Sequence, residues 1–417
     1  MKGEDDLDER ARAILRGNDR GGYTVPTAGL YPFQWNWDSA FAAWGFSTFD
    51  ADRAWTELET LLDHQWPDGM VPHIVFHRDD EGYFPGPSVW GTGRNPPTSG
   101  ISQPPVAATM ARLVLASDPG GRDRAAALVP RLLDWHRWWM RARVRKGIAC
   151  VVHPWESGRD NAFDWDAGMA AVDGSGVGPY QRRDTGHVDP SMRPTRAEYD
   201  RYLALVQFGR SIGWDQVRLA DEGPFLMADP GMTFILIRAC DDLAALAADM
   251  GTEAGEAADM AAELRAGLGT IWNGARGHWD ARDMRTGAFA GVLSSGAWLC
   301  WLAGAGRPEM DAHLADALGA VRYGLPTADP AHTGFDARRY WRGPAWPFFN
   351  ALAAIGLREA GRASEAERLR ADTAALIREG GFNEYFDPTD GTPCGGRDFT
   401  WTAAVWLAWA SPSQGEK

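Results

Sequence analysis

The sequence predicts an all-α fold, an (α/α)6 toroid of six helical hairpins with long loops over one end. Three observations lead there. Apolar residues recur at helical spacing along nearly the whole chain, with no convincing run of strand alternation. Connections between the expected helices alternate, short then long, which pairs neighbours into antiparallel hairpins. No internal repeat relates the hairpins, which disfavours the rival open solenoid, because stacked repeats need one.

Periodicity places helices over 3–16, 36–48, 51–64, 101–116, 123–144, 195–212, 231–249, 253–269, 292–303, 308–320, 342–360, 363–377 and 399–411. Asn36 before "WDSAFAAWGF", Ser102 before "QPPVAATMARLV" and Thr400 in the last helix are the expected start signals. Helices 36–48, 231–249, 292–303 and 342–360 reach their successors through two to four residues. Long stretches rich in Gly, Pro and Trp follow at 65–100, 145–194, 270–291, 321–341 and 378–398, and loops of that length are as a rule functional or disordered. With 195–212 set aside as part of an insertion over 145–230, twelve helices remain, and 3–16 partners the last. The chain reads as one domain over 1–417, with all the long stretches at one end.

The 417 residues carry 21 Trp against 17 Phe and 9 Tyr. A core can be built from Leu and Val, so the indole excess suggests either flat, partly wet surfaces, as in sugar-binding clefts, or a core of large residues. Net charge is −14 without a Lys/Arg-rich run, which argues against nucleic acid and anionic membranes as partners. "MKGEDDLDERARAILRGNDRGG" has no signal-peptide apolar stretch, and no window resembles a membrane span. Cys150, Cys240, Cys300 and Cys394 form no CxxC pair and read as free thiols, so a soluble cytoplasmic protein is expected. A homo-oligomer stays open.

Chemistry is expected from acids in the long stretches. "YPFQWNWDS" (31–39), "HPWESGRDN" (153–161) and "GFNEYFDPTDG" (381–391) each set a carboxylate beside aromatics. Glycoside hydrolysis needs a protonated carboxyl for the leaving oxygen and a second carboxylate that activates water or attacks carbon. The plainer reading of any one loop acid is a cap or turn. Asp164 and Asp166 lack a glycine-bearing calcium-loop frame, and His153 and His187 have no partner histidine at ligand spacing, so no metal and no cofactor are expected. "WGTGRNPPTSG" (90–100) lacks the strand–loop–helix setting of a phosphate loop; it and 181–190 suit mobile lids or disordered loops equally.

Taken together and in order, "YPFQWNWDS", "WPDGMVPH", "SGISQPP", "WESGRDN", "YWRGPAWPFFN" and "GFNEYFDP" resemble glycoside hydrolase family 63, in its bacterial mannosylglycerate/glucosylglycerate hydrolase branch. The resemblance runs from about residue 20 to 410 and implies an (α/α)6 barrel and an inverting α-glycosidase acting on a small glycoside, glucosylglycerate or mannosylglycerate first, with another short α-glucoside or disaccharide as the close variant. It implies Asp160 as general acid, carried by the 145–230 insertion, and Glu384 as general base. It implies Asp38 as a sugar-hydroxyl ligand and Gln103 and Trp346 as further sugar contacts. Arg196 and Tyr202 resemble the pair that holds a glycerate carboxylate, with Tyr340 and Trp341 nearby. Tyr31, Trp35, Trp37 and Trp155 are candidate sugar-contacting aromatics, and Glu156 is either a sugar contact or a cap. Trp155 and Trp165 are expected to wall Asp160 and raise its pKa by burial. An inverting pair stands roughly 6.5–9.5 Å apart. Two rivals are weaker. A sugar epimerase or isomerase on this toroid would want converging histidines, and only 9 His are present. A binding protein without catalysis has no need of both acids.

Overall fold

The computed structural model describes residues 2–80, 82–253 and 255–412, the side chains of 2–5 excepted. Twelve helices among them build the body. They are α1 (Lys2–Asn18), α2 (Asn36–Phe46), α3 (Ala51–Asp63), α4 (Ala107–Ser117), α5 (Arg122–Ala142) and α6 (Pro230–Asp249). After these come α7 (Gly255–Gly267), α8 (Ser295–Trp298), α9 (Pro308–Ala320), α10 (Pro347–Glu359), α11 (Ala363–Gly380) and α12 (Thr400–Val405). The even-numbered helices touch in sequence, α2 to α4, α6, α8 with its 3-10 continuation Leu299–Ala303, α10 and α12, and α12 returns to α2. That closes an inner ring. The odd-numbered helices lie outside it, with α3 on α2, α7 on α6, α11 on α10 and α1 on α12.

Side-chain chemistry explains which helix goes where. All eleven residues of α2 and all six of α12 are buried, so an inner helix needs no polar face. In α3, Ala54, Trp55, Leu58, Leu61 and Leu62 form one buried stripe, and the other face carries charge. The ring also demands close backbone approach. A Cβ on Gly45 of α2 would lie 2.6 Å from the Ala404 backbone in α12, at the point where the ring closes.

Several expected boundaries move. Helix α4 starts at Ala107, not 101, because Pro104 and Pro105 keep the preceding residues extended. Helix α10 starts at Pro347 rather than 342, and 292–303 divides into α8 and a 3-10 segment. The expected caps are corrected too. Trp35 precedes α2 and Asn36 is already helical, Ser102 bonds the Val71 carbonyl instead of capping, and Thr400 is the first residue of α12, bonding the Val25 carbonyl.

Short strands that alternation could not reveal tie the long stretches together. Gln34–Trp35 pairs with Ile74–Val75, Asn383–Phe386 with Pro393–Arg397 and Trp272–Asn273 with His278–Trp279. Val144–Arg145, Ile148–Val151, Met227–Ala228 and Arg282–Asp283 make a four-stranded antiparallel sheet beside the ring. The expected helix 195–212 forms as Arg196–Ser211, opened by a capping box in which Thr195 and Glu198 satisfy each other's backbone N–H. Among the described residues no helix is long and apolar enough to cross a membrane.

Gly45→Ala should lower stability by about 1–3 kcal/mol, since the added methyl meets backbone that cannot yield without opening the ring. Urea denaturation would show this as a reduced midpoint at unchanged slope.

Candidate active site

The ring and the loops over one end form a cavity that opens to solvent. Its lining comes from the α1–α2 connection, the first turn of α2, the stretches 73–103, 155–199 and 340–346, and residues 384–401. No residue of the expected long stretch 270–291 reaches it; that segment turns back as the Trp272–Trp279 hairpin. Seven tryptophans line the cavity, and others, including Trp135, Trp138, Trp298 and Trp406, are fully buried in the core, so the indole excess serves both uses.

Asp160 follows the 3-10 turn Pro154–Ser157, which ends on Gly158 in left-handed backbone. Its peptide is clamped on two sides. The Tyr202 hydroxyl donates to the Asp160 carbonyl at 2.8 Å, and the Trp165 indole N–H donates to the Arg159 carbonyl at 2.8 Å. The Arg159 side chain is itself buried between Asp229 at 2.6 Å and Asp164 at 3.3 Å. Of the four acids in 153–166, three are committed to cations. Glu156 pairs with Arg143 at 2.8 Å, Asp164 with Arg159, and Asp166 with Arg342. No ion pair to Asp160 forms among the described residues. Burial pushes its carboxyl up to about 7, with the Arg193 guanidinium pulling it down and the Glu384 carboxylate pushing it up.

Glu384 lies on the Asn383–Phe386 strand and is fully buried. Arg193 donates to both its oxygens, at 3.4 and 3.0 Å, the Tyr31 hydroxyl to Oε1 at 3.2 Å and the Gly396 N–H to Oε2 at 2.8 Å. All are donors, and a carboxylate can accept every one of them. The pairing strand must come close to allow this. Gly395, at φ +72°, would place a Cβ 2.4 Å from Glu384 Oε2, so any other residue there would displace the acid.

Asp38 sits in the first turn of α2, and burial, reinforced by Glu384, raises its carboxyl well above the ordinary range. Gln103, in the extended segment before α4, accepts the Trp37 backbone N–H at 3.2 Å. Beneath them the aromatics interlock. Trp341 stacks on Trp346 at 4.3 Å between ring centres, Trp346 stacks on Tyr385 at 4.6 Å, and Trp37 stands edge-on to Phe348 and Trp401. Four cavity residues hold buried polar atoms without a protein partner among the described residues: His73 Nδ1, Trp90 Nε1, Arg193 Nε and Trp341 Nε1. Buried groups of this kind are rarely left unpaired, and a hydroxyl-rich ligand would satisfy them.

Tyr31, Trp35, Trp37, Asp38, Gln103, Trp155, Asp160, Tyr340, Trp341, Trp346 and Glu384 thus share one cavity. Three expected contacts do not line it. Glu156 is sealed off, holding Arg143 and the backbone N–H groups of Ser102 and Val152, and so fastens the acid loop to the segment before α4. Arg196 is largely exposed, paired with Asp200 and stacked over Tyr180. Tyr202 lies behind Asp160, outside this lining. Trp165 likewise faces the rear of Asp160, and the aromatics beside its carboxyl include Tyr83, Tyr199 and Tyr340.

Instead of Arg196 and Tyr202, the residues three positions earlier, Arg193 and Tyr199, line the cavity. Both pairs have the same spacing in "RPTRAEYDRY", but the capping box at Thr195 puts Arg196 in the exposed first turn of a helix. Arg193 precedes a proline, stays extended and turns inward. Arg183 and Asp184, from the 181–190 stretch but not among the expected contacts, also line the cavity, and Arg183 is tied to Asp80 at 2.8 Å.

A closed ring of helices around a cavity with two unlike carboxyls and an aromatic wall is the arrangement of a toroidal glycoside hydrolase. Residues 31–402 match the family model described as the mannosylglycerate hydrolase MGH1-like glycoside hydrolase domain. The mannosylglycerate hydrolase of Thermus thermophilus is 43% identical over 412 residues, covering 96% of this chain and 99% of that protein. The glucosylglycerate hydrolase of Mycolicibacterium hassiacum is 36% identical over 454 residues, covering 97% of each. A crystal structure of a GH63 mannosylglycerate hydrolase from Thermus thermophilus, in complex with Tris and D-glycerate, matches with a TM-score of 0.93 at 42% identity, over 97% of this chain and 99% of that one. The chain belongs to this mannosylglycerate hydrolase-like branch of glycoside hydrolase family 63, and its fold is the (α/α)6 toroid.

The Asp160 environment has a stability consequence. Its carboxyl titrates near 7 in the folded protein against an ordinary value of 3.8, so the folded state binds the extra proton between those limits. Its contribution is therefore intact below about pH 4 and lost as pH rises through 7. Asp160→Asn should stabilise the protein at pH 8 by on the order of 2 kcal/mol and leave it unchanged near pH 4, measured as thermal midpoints at both pH values.

Proposed function

We propose that this glycoside hydrolase cleaves a small α-glycoside of glycerate with inversion, releasing sugar and glycerate, with mannosylglycerate first and glucosylglycerate as the close alternative. The observation that carries the reading is the division of labour between two acids on one cavity. Asp160 forms no ion pair among the described residues and is pushed up to about 7, whereas Glu384 is surrounded by donors. Asp160 gives its proton to the glycosidic oxygen as the bond to the anomeric carbon breaks. Glu384 takes a proton from the water that attacks the opposite face. Asp38, Gln103 and the stacked Trp341 and Trp346 hold the ring hydroxyls. The acceptor carboxylate goes to Arg193, whose Nε is still unpartnered, and Tyr199 lies near it. The relatives named for glycerate glycosides support this choice of aglycone, and the higher identity to the mannosyl enzyme supports the sugar. Four buried cysteines without disulfides suit a reducing compartment such as the cytoplasm.

Asp160→Asn and Glu384→Gln should each lower kcat by roughly 100- to 10,000-fold while the fold is kept. NMR of the first product should show the inverted anomer, and kcat/KM should fall on the alkaline side as Asp160 ionises near 7. Arg193→Lys should raise KM for a glycerate glycoside more than for a neutral one, and Arg196→Ala should change neither. Turnover that survives loss of either acid, or retained configuration, contradicts the assignment.

A further inference from the structure

Asp160 borders two cavities. The substrate cavity lies in front; behind it lies a second, whose lining includes Asn161, Trp165, Asp166, Glu198 and Tyr202. Among the described residues, Asp160 alone belongs to both linings. Charged side chains stand in the wall of the rear chamber beside Ala162, Trp165 and Met169. Arg342 donates to Asp166 and, at 3.3 Å, to Glu198, which holds two carboxylates in its wall. Asn161 Oδ1 accepts the Trp341 N–H at 2.9 Å, but its Nδ2 is buried with no protein partner among the described residues. That donor suits a chamber water. Asp166 is exposed and Arg201 partly so, which marks where the chamber meets solvent.

Inverting hydrolysis does not return its catalysts to their starting state. The glycosidic C–O bond breaks and a new C–O bond forms to water. One proton moves from Asp160 to the leaving oxygen, and one from water to Glu384. Afterwards Asp160 is ionised and Glu384 protonated, and both must exchange with solvent before the next cycle. In front, sugar and glycerate still fill an aromatic cavity.

We propose that the rear chamber is the proton-return route, through which solvent reprotonates Asp160 independently of the substrate cavity. This rests on the reading of Asp160 as the general acid. In front, Asp160 faces Arg193, Glu384 and Asp184; behind, Asp166, Glu198, Arg201 and Arg342 surround the chamber. Tyr83, Tyr199, Tyr202 and Tyr340 complete its surroundings and stay neutral in this range, being raised by burial. A carboxyl that titrates near neutrality regains its proton readily once water reaches it.

The test is rapid-quench kinetics at pH 8 in dilute buffer, on a glycerate glycoside that the wild type hydrolyses. Two variants obstruct the chamber from different sides: Arg201→Trp at its mouth and Ala162→Met in its wall. Each should release one product per active site at the wild-type rate, because Asp160 starts protonated in enzyme pre-equilibrated at pH 6, and then turn over about tenfold more slowly. Imidazole, a small proton donor, should restore the slow phase. A purely structural effect would slow the first turnover equally and would not respond to imidazole. That result, or wild-type kcat in both variants, overturns the proposal. Hydrolysis that persists in Asp160→Asn would instead overturn the general-acid reading of Asp160 on which it rests.

Discussion

One buried cation, Arg193, decides the chemistry of the cavity. It spends its Nη groups on Glu384 and forms no pair with Asp160, although it is close enough to pull that carboxyl down. Removing it would strand a buried carboxylate, at a cost typically of about 3–5 kcal/mol. Two acids in the same cavity thereby acquire different characters, one without an ion pair among the described residues and largely desolvated, the other fully hydrogen-bonded. Asp166, Asp164 and Glu156 could have blurred this asymmetry, but each is paired with an arginine.

The ring makes that asymmetry possible by supplying a rigid, water-poor container. Helices α2 and α12, buried on every side, and the loops at one end come together, so residues as distant as Asp38, Asp160 and Glu384 share one volume. Small residues set the closeness. Gly45 lets α2 meet α12, and Gly395 lets a strand lie against the Glu384 carboxylate. Aromatic stacking then fixes the wall, leaving a few N–H groups unpaired where a polar ligand would reach them.

Much of the ring was legible because inner and outer helices obey different burial rules, and alternating loop lengths reveal which helices pair. The strands were not, since segments of two to five residues show no alternation. Cap signals at Asn36 and Ser102 misled because those side chains serve tertiary bonds to carbonyls near residue 71. The cavity wall was largely readable from aromatic–acid motifs, with the family resemblance needed to separate one acid from another. Residue type alone could not tell Glu156 from Asp160, because the difference is a buried arginine thirteen residues upstream of Glu156. The cavity takes Arg193 where Arg196 was expected, because two Arg–Tyr pairs share one spacing and only the capping box at Thr195 distinguishes a helix from an extended entry.

Asp160 keeps its proton near neutrality because burial outweighs the pull of Arg193. A carbon-13 NMR titration of aspartate carboxyl groups, with the Asp160 signal assigned by its loss in Asp160→Asn, measures this directly. A midpoint close to 7 is the expected result. A midpoint near the ordinary 3.8 would contradict the account, since Asp160 would then be ionised throughout the working range and could not serve as the acid.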